Sequence, residues 1–117
     1  MMKPNILFVC GRNKWRSPTA VNIYKNDERF NAKSAGLSSK SNHQLSKKDI
    51  EWADIILVME TKYKSRILGI FRDLDLPIIE NLDIPDDYEF MNEELIEMIQ
   101  KVTEFILKNR FHINTNL

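Results

Sequence analysis

Four short apolar segments alternate with helix-like segments along the chain, and this alternation is the strongest constraint on its fold. The third apolar segment contains the unbroken run Ile55-Ile56-Leu57-Val58, which is typical of a strand covered on both faces. Because a helical segment follows each strand, the order predicts a four-stranded parallel open sheet with helices on both faces, an α/β fold. The predicted strands are Asn5–Val9, Ala32–Ala35, Asp54–Met59 and Pro77–Leu82.

Local signals predict where the helices begin. Ser17 followed by Pro18 is typical of an N-cap with proline at the first helical position. Ser46 and Asp49 resemble a capping box, and Thr61 is predicted to cap the third helix. The last helix has one predicted apolar face: Leu95, Ile96, Met98, Ile99, Val102, Phe105 and Ile106. The charged residues predicted on its opposite face are Glu97, Lys101, Glu104 and Lys108.

Length and charge limit the class of protein. The 117 residues suit one domain, which we place at residues 1–110, followed by a frayed tail at residues 111–117 that includes His112. Seventeen basic and seventeen acidic residues cancel, so no bulk field attracts nucleic acid or a membrane surface. The apolar run near the N-terminus is shorter than a signal peptide or a membrane span needs. We therefore expect a soluble, cytoplasmic protein, and its oligomeric state is left open.

The polar loop between the first strand and the first helix contains the residues best suited to binding and catalysis. Its sequence is Cys10-Gly11-Arg12-Asn13-Lys14-Trp15-Arg16-Ser17. In such a loop, the backbone N–H groups and the start of the following helix form a cradle for a tetrahedral oxyanion. The same positive field suits a thiolate, so Cys10 is the candidate nucleophile. As the only cysteine, Cys10 excludes an internal disulfide framework and suits a reducing compartment.

The other loop residues also suit an anion site. The planar fork of Arg16 can bind two phosphate oxygens, and Ser17 can donate a hydrogen bond to the cysteine sulfur. Gly11 allows close approach of the backbone, and Asn13 tolerates a left-handed conformation. The predicted substrate-binding residues in the loop are Gly11, Arg12, Asn13, Lys14, Trp15 and Ser17. Solvated charges are the alternative for Arg12 and Lys14, and packing on the first helix is the alternative for Trp15.

The loop resembles that of the low-molecular-weight protein tyrosine phosphatase family, which is usually spelled Cys-x-Gly-Asn-x-Cys-Arg-Ser-Pro. The matching residues are Cys10, Asn13, Arg16, Ser17 and Pro18. Further similarity lies in Ser34-Ala35-Gly36-Leu37 and in residues 54–60. The resemblance implies a flavodoxin-like (Rossmann-like) sheet. It also implies that Cys10 attacks phosphorus, that Arg16 binds phosphate, and that a later aspartate protonates the leaving phenol.

Three features depart from the family pattern. Arg12 replaces the usual glycine of the loop, which places a cation near the pocket mouth. Trp15 replaces the second cysteine, so Cys10 has no neighbouring thiol. The chain is also shorter than usual between Gly36 and Asp54, which predicts a lower and more open pocket wall on that side.

The general acid is the least sharply determined residue. The family's acid lies in an Asp-Pro-Tyr-Tyr motif, and this chain has Asp83-Ile84-Pro85-Asp86-Asp87-Tyr88 in that region. Spacing back from the last helix matches Asp86 best, with Asp83 and Asp87 as alternatives. Tyr88 falls in the aromatic stretch and is predicted to contact substrate. His43 is predicted to be a surface residue, and Tyr63 a packing residue.

Together these features predict a phosphomonoester hydrolase that acts through a cysteinyl-phosphate intermediate on a phosphotyrosine protein or another aryl phosphate. No cluster has metal-ligand spacing and no nucleotide loop is present, so no metal or cofactor is expected. One alternative is arsenate reduction, which would need an external thiol because the chain has no further cysteine. The other is a non-catalytic phosphate or phosphotyrosine reader.

The absence of a neighbouring thiol predicts that oxidation of Cys10 is hard to reverse. No second cysteine can trap the sulfenic acid of Cys10 as a disulfide, so peroxide should oxidise it further to the sulfinic or sulfonic acid. Thiols do not reduce these acids. After an inactivating dose, excess thiol should leave most phosphate-ester hydrolysis unrecovered, and mass spectrometry should find the higher acids at Cys10. Full recovery by thiol would contradict this expectation.

Overall fold

Strands and helices alternate throughout the computed structural model, which describes residues 3–113. Within that range the strands are β1 (Asn5–Cys10), β2 (Asn31–Gly36), β3 (Ile55–Val58) and β4 (Ile78–Asn81). The helices are α1 (Arg16–Tyr24), α2 (Lys47–Trp52), α3 (Thr61–Ile70) and α4 (Glu93–Phe111). Each predicted strand is therefore present, and no strand end differs from the prediction by more than one residue.

The strands form one parallel sheet in the order β2-β1-β3-β4, which confirms the predicted α/β fold. All four residues of β3 are buried, as the unbroken apolar run requires. Helix α1 packs on β1 and β2 and also contacts α4, whereas α2 contacts β1 and α3 contacts β3 and β4. With right-handed crossovers, this arrangement places helices on both faces of the sheet.

The topology brings the ends of the two central strands together. Cys10 is the last residue of β1, and Met59 and Glu60 directly follow β3, its neighbour in the sheet. In open parallel sheets, ligands bind at the carboxyl ends of the strands. The segments after β1, β3 and β4 therefore converge on one edge.

Two predicted helix starts are wrong, and one is confirmed. Helix α1 begins at Arg16 after Trp15, so Ser17 is not its N-cap and instead uses its hydroxyl within the β1–α1 loop. Helix α3 begins at Thr61, and its N-cap is Glu60, one residue earlier than predicted. The Thr61 hydroxyl accepts a hydrogen bond from Asn81 instead. The capping box of Ser46 and Asp49 is present as predicted.

The predicted apolar face of α4 is wrong at two positions. Phe105 is 66% exposed, whereas Glu104, predicted on the polar face, is only 4% exposed. The Glu104 carboxylate accepts hydrogen bonds from Tyr24 at 2.9 Å and from both terminal nitrogens of Arg29 at 2.7 and 2.8 Å. Burial raises the pKa of Tyr24, so its hydroxyl stays a donor. These polar partners allow a carboxylate to occupy a position that the apolar periodicity excludes.

The chain beyond α4 differs from the predicted tail. Phe111 is the last residue of α4, so this helix runs one residue past the predicted boundary at residue 110, and Ile113 packs against the core. His112 has a left-handed backbone and forms the C-cap of α4. Residues 114–117 lie outside the described residues. Within residues 3–113, no helix has the length and apolar character needed to cross a bilayer.

The buried hydrogen bonds of Glu104 predict a large loss of stability when its charge is removed. Glu104→Gln should lower the free energy of unfolding by about 2–4 kcal/mol, because the buried amide loses the charge attraction to Arg29, which keeps its ion pair with Asp27. Urea unfolding followed by circular dichroism measures this value. The control Glu97→Gln removes an exposed charge from the same helix and should change stability by less than about 0.5 kcal/mol. Equal effects of the two variants would show that the buried pairing contributes little.

Candidate active site

The loop between β1 and α1 turns sharply at Asn13. This residue has a φ of 52°, the left-handed conformation that asparagine tolerates better than most residues, as predicted. Its side chain is buried and accepts a hydrogen bond from the Ser17 hydroxyl at 3.0 Å. The hydrogen bond between the buried Asn13 and Ser17 side chains therefore stabilises the conformation of the loop.

The segment after β2 supports the loop from its other side. The amide of Leu37 donates to the Cys10 carbonyl at 3.1 Å, and the amide of Ser38 donates to the Gly11 carbonyl at 2.8 Å. The Asn42 side chain donates to the Asn13 carbonyl at 3.0 Å. A Cβ on Gly36 would lie 2.7 Å from the Asn13 nitrogen, closer than real Cβ atoms approach. The Ser-Ala-Gly segment thus supports the loop through a close backbone approach that only glycine allows.

The sulfur of Cys10 lies at the base of the site. Cys10 is 3% exposed, and its Sγ is 2.9 Å from the Ser17 Oγ. The Ser17 hydroxyl has one hydrogen, so it donates either to Asn13 or to the sulfur. Rotation of this hydroxyl can therefore supply a hydrogen bond to a sulfur that carries negative charge.

Arg16 is buried and held by groups from two other segments of the chain. Its Nη1 donates to the Glu60 carboxylate and to the Ile84 carbonyl, both at 2.7 Å. Its Nη2 donates to the Tyr63 hydroxyl at 2.9 Å, and Tyr63 in turn donates to Glu60 at 3.1 Å. Of the five N–H donors of a guanidinium, the Nε–H and one Nη2 hydrogen remain for an anion.

The charges in this cluster stabilise one another. Burial by itself would lower the pKa of Arg16. The hydrogen bond to Glu60 and the interactions with Tyr63 and Asp86 together outweigh burial, so the pKa is raised. Burial by itself would raise the pKa of Glu60. The hydrogen bond and positive charge of Arg16, with contributions from Tyr63 and Lys62, together lower the pKa below its ordinary value. Burial raises the pKa of Tyr63. Near neutral pH the cluster therefore contains a cationic Arg16, an anionic Glu60 and a neutral Tyr63. The ion pair weakens only as acid protonates Glu60.

A cavity of about 290 Å³ opens above the sulfur. It is lined by Cys10, Gly11, Arg12, Lys14, Trp15, Arg16, Tyr63 and Asp86. The structure thus brings together the predicted catalytic residues Cys10, Arg16 and Asp86, and it places Trp15 at the cavity wall. The predicted loop residues Asn13 and Ser17 are buried behind this lining.

The positions of Tyr88 and Tyr63 differ from those that the sequence predicts. Tyr88 is not part of the cavity lining, and its hydroxyl donates to Glu94 at 3.2 Å while its ring packs against the core. Tyr63, predicted to be a packing residue, lines the cavity and binds Arg16. Its position one turn after Glu60, at the carboxyl end of β3, was the available sequence signal. Glu60 was likewise not predicted to hold Arg16.

Among the three candidate acids, Asp86 is the one at the cavity. Its Oδ1 lies 3.6 Å from the Arg16 Nε, and its side chain is 62% exposed. Asp83 and Asp87 are not in the lining. The loop that carries Asp86 is anchored where the Ile84 amide donates to the Met59 carbonyl at 2.8 Å. His43 lies away from the cavity and contacts Asp49 at 2.9 Å, with its side chain 54% exposed.

The close approach at Gly36 predicts that a single methyl group displaces the loop. Gly36→Ala should lower the free energy of unfolding by about 1–3 kcal/mol and weaken the binding of inorganic phosphate. Thermal unfolding with and without phosphate measures both effects. The control Gly69→Ala adds a methyl group to α3 where nothing lies within 4 Å, and it should raise stability slightly. Unaltered phosphate binding by Gly36→Ala would show that the loop does not depend on this contact.

Comparisons with known proteins find similar structures. No protein-family model and no curated protein matches the chain. The arginine phosphatase YwlE from Geobacillus stearothermophilus superimposes with a TM-score of 0.67 at 22% identity, covering 97% of this chain and 99% of that one. The low molecular weight protein tyrosine phosphatase SP-PTP from Streptococcus pyogenes gives a TM-score of 0.76 at 19% identity, covering 93% of each chain.

A third similar structure is the tyrosine phosphatase Wzb from Escherichia coli K30, solved in complex with phosphate. It gives a TM-score of 0.67 at 17% identity and covers 93% of this chain and 99% of that chain. At such identities the likeness establishes the fold, and it extends over nearly the whole length of both chains. The protein therefore has the fold of the low-molecular-weight protein tyrosine phosphatases.

Proposed function

We propose that the chain is a cysteine-dependent phosphomonoester hydrolase, and specifically a protein tyrosine phosphatase. The observation that carries the proposal is the meeting of Cys10, Arg16 and Asp86 in one cavity. These residues supply a nucleophile, a cation for the phosphoryl oxygens and a carboxyl group for proton transfer. Cys10 is the last residue of β1, Arg16 begins the helix after it, and Asp86 lies in the segment after β4.

In the first step, the Cys10 thiolate attacks phosphorus and the bond between phosphorus and the ester oxygen breaks. The remaining donors of Arg16 and the backbone of the loop bind the equatorial oxygens, where negative charge is spread in the transition state. Asp86 gives its proton to the leaving oxygen. Its exposed carboxyl group at the cavity wall suits this role, because the leaving group lies on the side of phosphorus away from the sulfur.

In the second step, water attacks the cysteinyl phosphate and the S–P bond breaks. The Asp86 carboxylate accepts a proton from the water, which restores the acid for the next cycle. The Ser17 hydroxyl, 2.9 Å from the sulfur, donates to the thiolate as it leaves. The products are inorganic phosphate and the free phenol.

An aryl phosphate is the substrate that best suits the cavity walls. Trp15 and Tyr63 supply aromatic surfaces, and Cys10 lies below them at 3% exposure, so a substrate must reach inward. Phosphotyrosine on a protein meets both requirements. Phosphoarginine is the second candidate, because one of the similar structures is an arginine phosphatase. A cytoplasmic site of action stays a prediction from the sequence.

The leaving group distinguishes the general acid from its neighbours. Asp86→Asn should lower kcat by about 10²–10⁴-fold for phenyl phosphate, whose leaving group needs a proton, and much less for an aryl ester with an acidic phenol. Asp83→Asn and Asp87→Asn are the matched controls and should stay near wild type on both esters. Steady-state rates across a series of phenols measure this dependence.

Two results would contradict the proposal. If Asp86→Asn lowers kcat equally for good and poor leaving groups, Asp86 is not the general acid. If Cys10→Ser keeps wild-type turnover, the reaction does not pass through a cysteinyl phosphate. Tight phosphate binding without hydrolysis by the wild-type protein would favour the non-catalytic reader, and arsenate turnover with an added thiol would favour the reductase.

A further inference from the structure

Two cations in the cavity lining have no part in the proposed chemistry. Arg12 and Lys14 both line the cavity and are both exposed. They flank Asn13, whose side chain is buried, so the two long side chains stand on the outer side of the loop. Within residues 3–113, neither forms an ion pair or a side-chain hydrogen bond with another residue.

The charge of Arg16, in contrast, is already compensated by the protein. Its guanidinium is 2.7 Å from the Glu60 carboxylate and 3.6 Å from that of Asp86. The net positive charge of the cavity lining therefore comes from Arg12 and Lys14 at its rim. A rim of uncompensated cations attracts negative charge that lies beside the reacting phosphate.

The position of Lys14 is further defined by Trp15. The Lys14 ammonium lies 4.7 Å from the centre of the Trp15 ring, within the range of a cation–π interaction. This contact keeps the charge next to the cavity wall but leaves the N–H donors of the ammonium available to a ligand. Arg12 adds a planar fork that suits a carboxylate.

We infer that Arg12 and Lys14 form a specificity rim that selects phosphotyrosine flanked by acidic residues. The inference rests on the proposed function and names its substrate class. Carboxylates beside the phosphotyrosine would pair with the rim, while the phosphate is held by the loop and by Arg16. Basic flanking residues would be repelled. Phosphoarginine is disfavoured for the same reason, because its guanidinium group is attached directly to phosphorus and would approach the two cations.

The test uses three phosphotyrosine peptides of equal length that carry Glu, Gln or Lys on both sides of the phosphotyrosine. For the wild-type protein at low salt, kcat/KM should be about 3- to 10-fold higher for the Glu peptide than for the Gln peptide, and lowest for the Lys peptide. The difference should arise mainly in KM and should shrink as NaCl approaches about 0.5 M. A phosphoarginine peptide with Gln on both sides should be a poorer substrate than its phosphotyrosine counterpart.

Two double variants separate the rim from the net charge. Arg12→Gln with Lys14→Gln should bring the Glu-to-Gln ratio of kcat/KM close to 1. Lys47→Gln with Lys48→Gln removes the same charge from exposed positions on α2, outside the cavity lining, and should keep the wild-type ratio. Because each ratio is taken within one variant, a general loss of activity does not obscure it.

The outcomes distinguish this inference from the proposed function. If the wild-type protein hydrolyses all three peptides at rates within about two-fold, or if the rim variant loses activity equally on all three, the rim has no role in selectivity. If the wild-type protein hydrolyses no phosphotyrosine peptide, the proposed function itself fails. Preference for the phosphoarginine peptide would overturn both the tyrosine assignment and the rim.

Discussion

The buried guanidinium of Arg16 is the interaction on which the rest of the site depends. It joins the loop after β1 to Glu60 and Tyr63 after β3 and to the Ile84 carbonyl after β4. A buried cation is costly unless it is paired and hydrogen-bonded, and here three groups satisfy that demand. The cluster therefore joins the segments that follow three strands of the sheet, and these contacts use three of the five N–H donors of Arg16.

A second, uncharged set of contacts completes the loop. The backbone after β2 binds the carbonyls of Cys10 and Gly11, and Gly36 lets the two backbones approach closely. The cysteine is thus positioned by hydrogen bonds to the main chain, while the arginine is positioned by an ion pair. These supports come from opposite sides of β1, since β2 and β3 are its two neighbours in the sheet.

Features that depend on neighbours in sequence were predictable, and those that depend on distant partners were not. The apolar run of β3 and the capping box of Ser46 and Asp49 are local patterns, and the structure has both. Glu104 violates the periodicity of α4 because its partners Tyr24 and Arg29 are 80 and 75 residues away in the chain. Ser17 is a local exception: it is not the predicted helix cap, whereas its predicted contact with the Cys10 sulfur is present at 2.9 Å.

The sequence by itself determined the alternating α/β fold and the polar loop with Cys10, Asn13 and Arg16 between the first strand and the first helix, since both follow from residue types at short spacing. Only the tertiary structure decided which distant groups complete the cavity: Glu60 and Tyr63 hold Arg16, Asp86 rather than its acidic neighbours lines the cavity, and Tyr88 lies outside it. The physical reason is the parallel sheet. It aligns the ends of strands separated by whole helices, so Arg16 meets partners 44, 47 and 68 residues away.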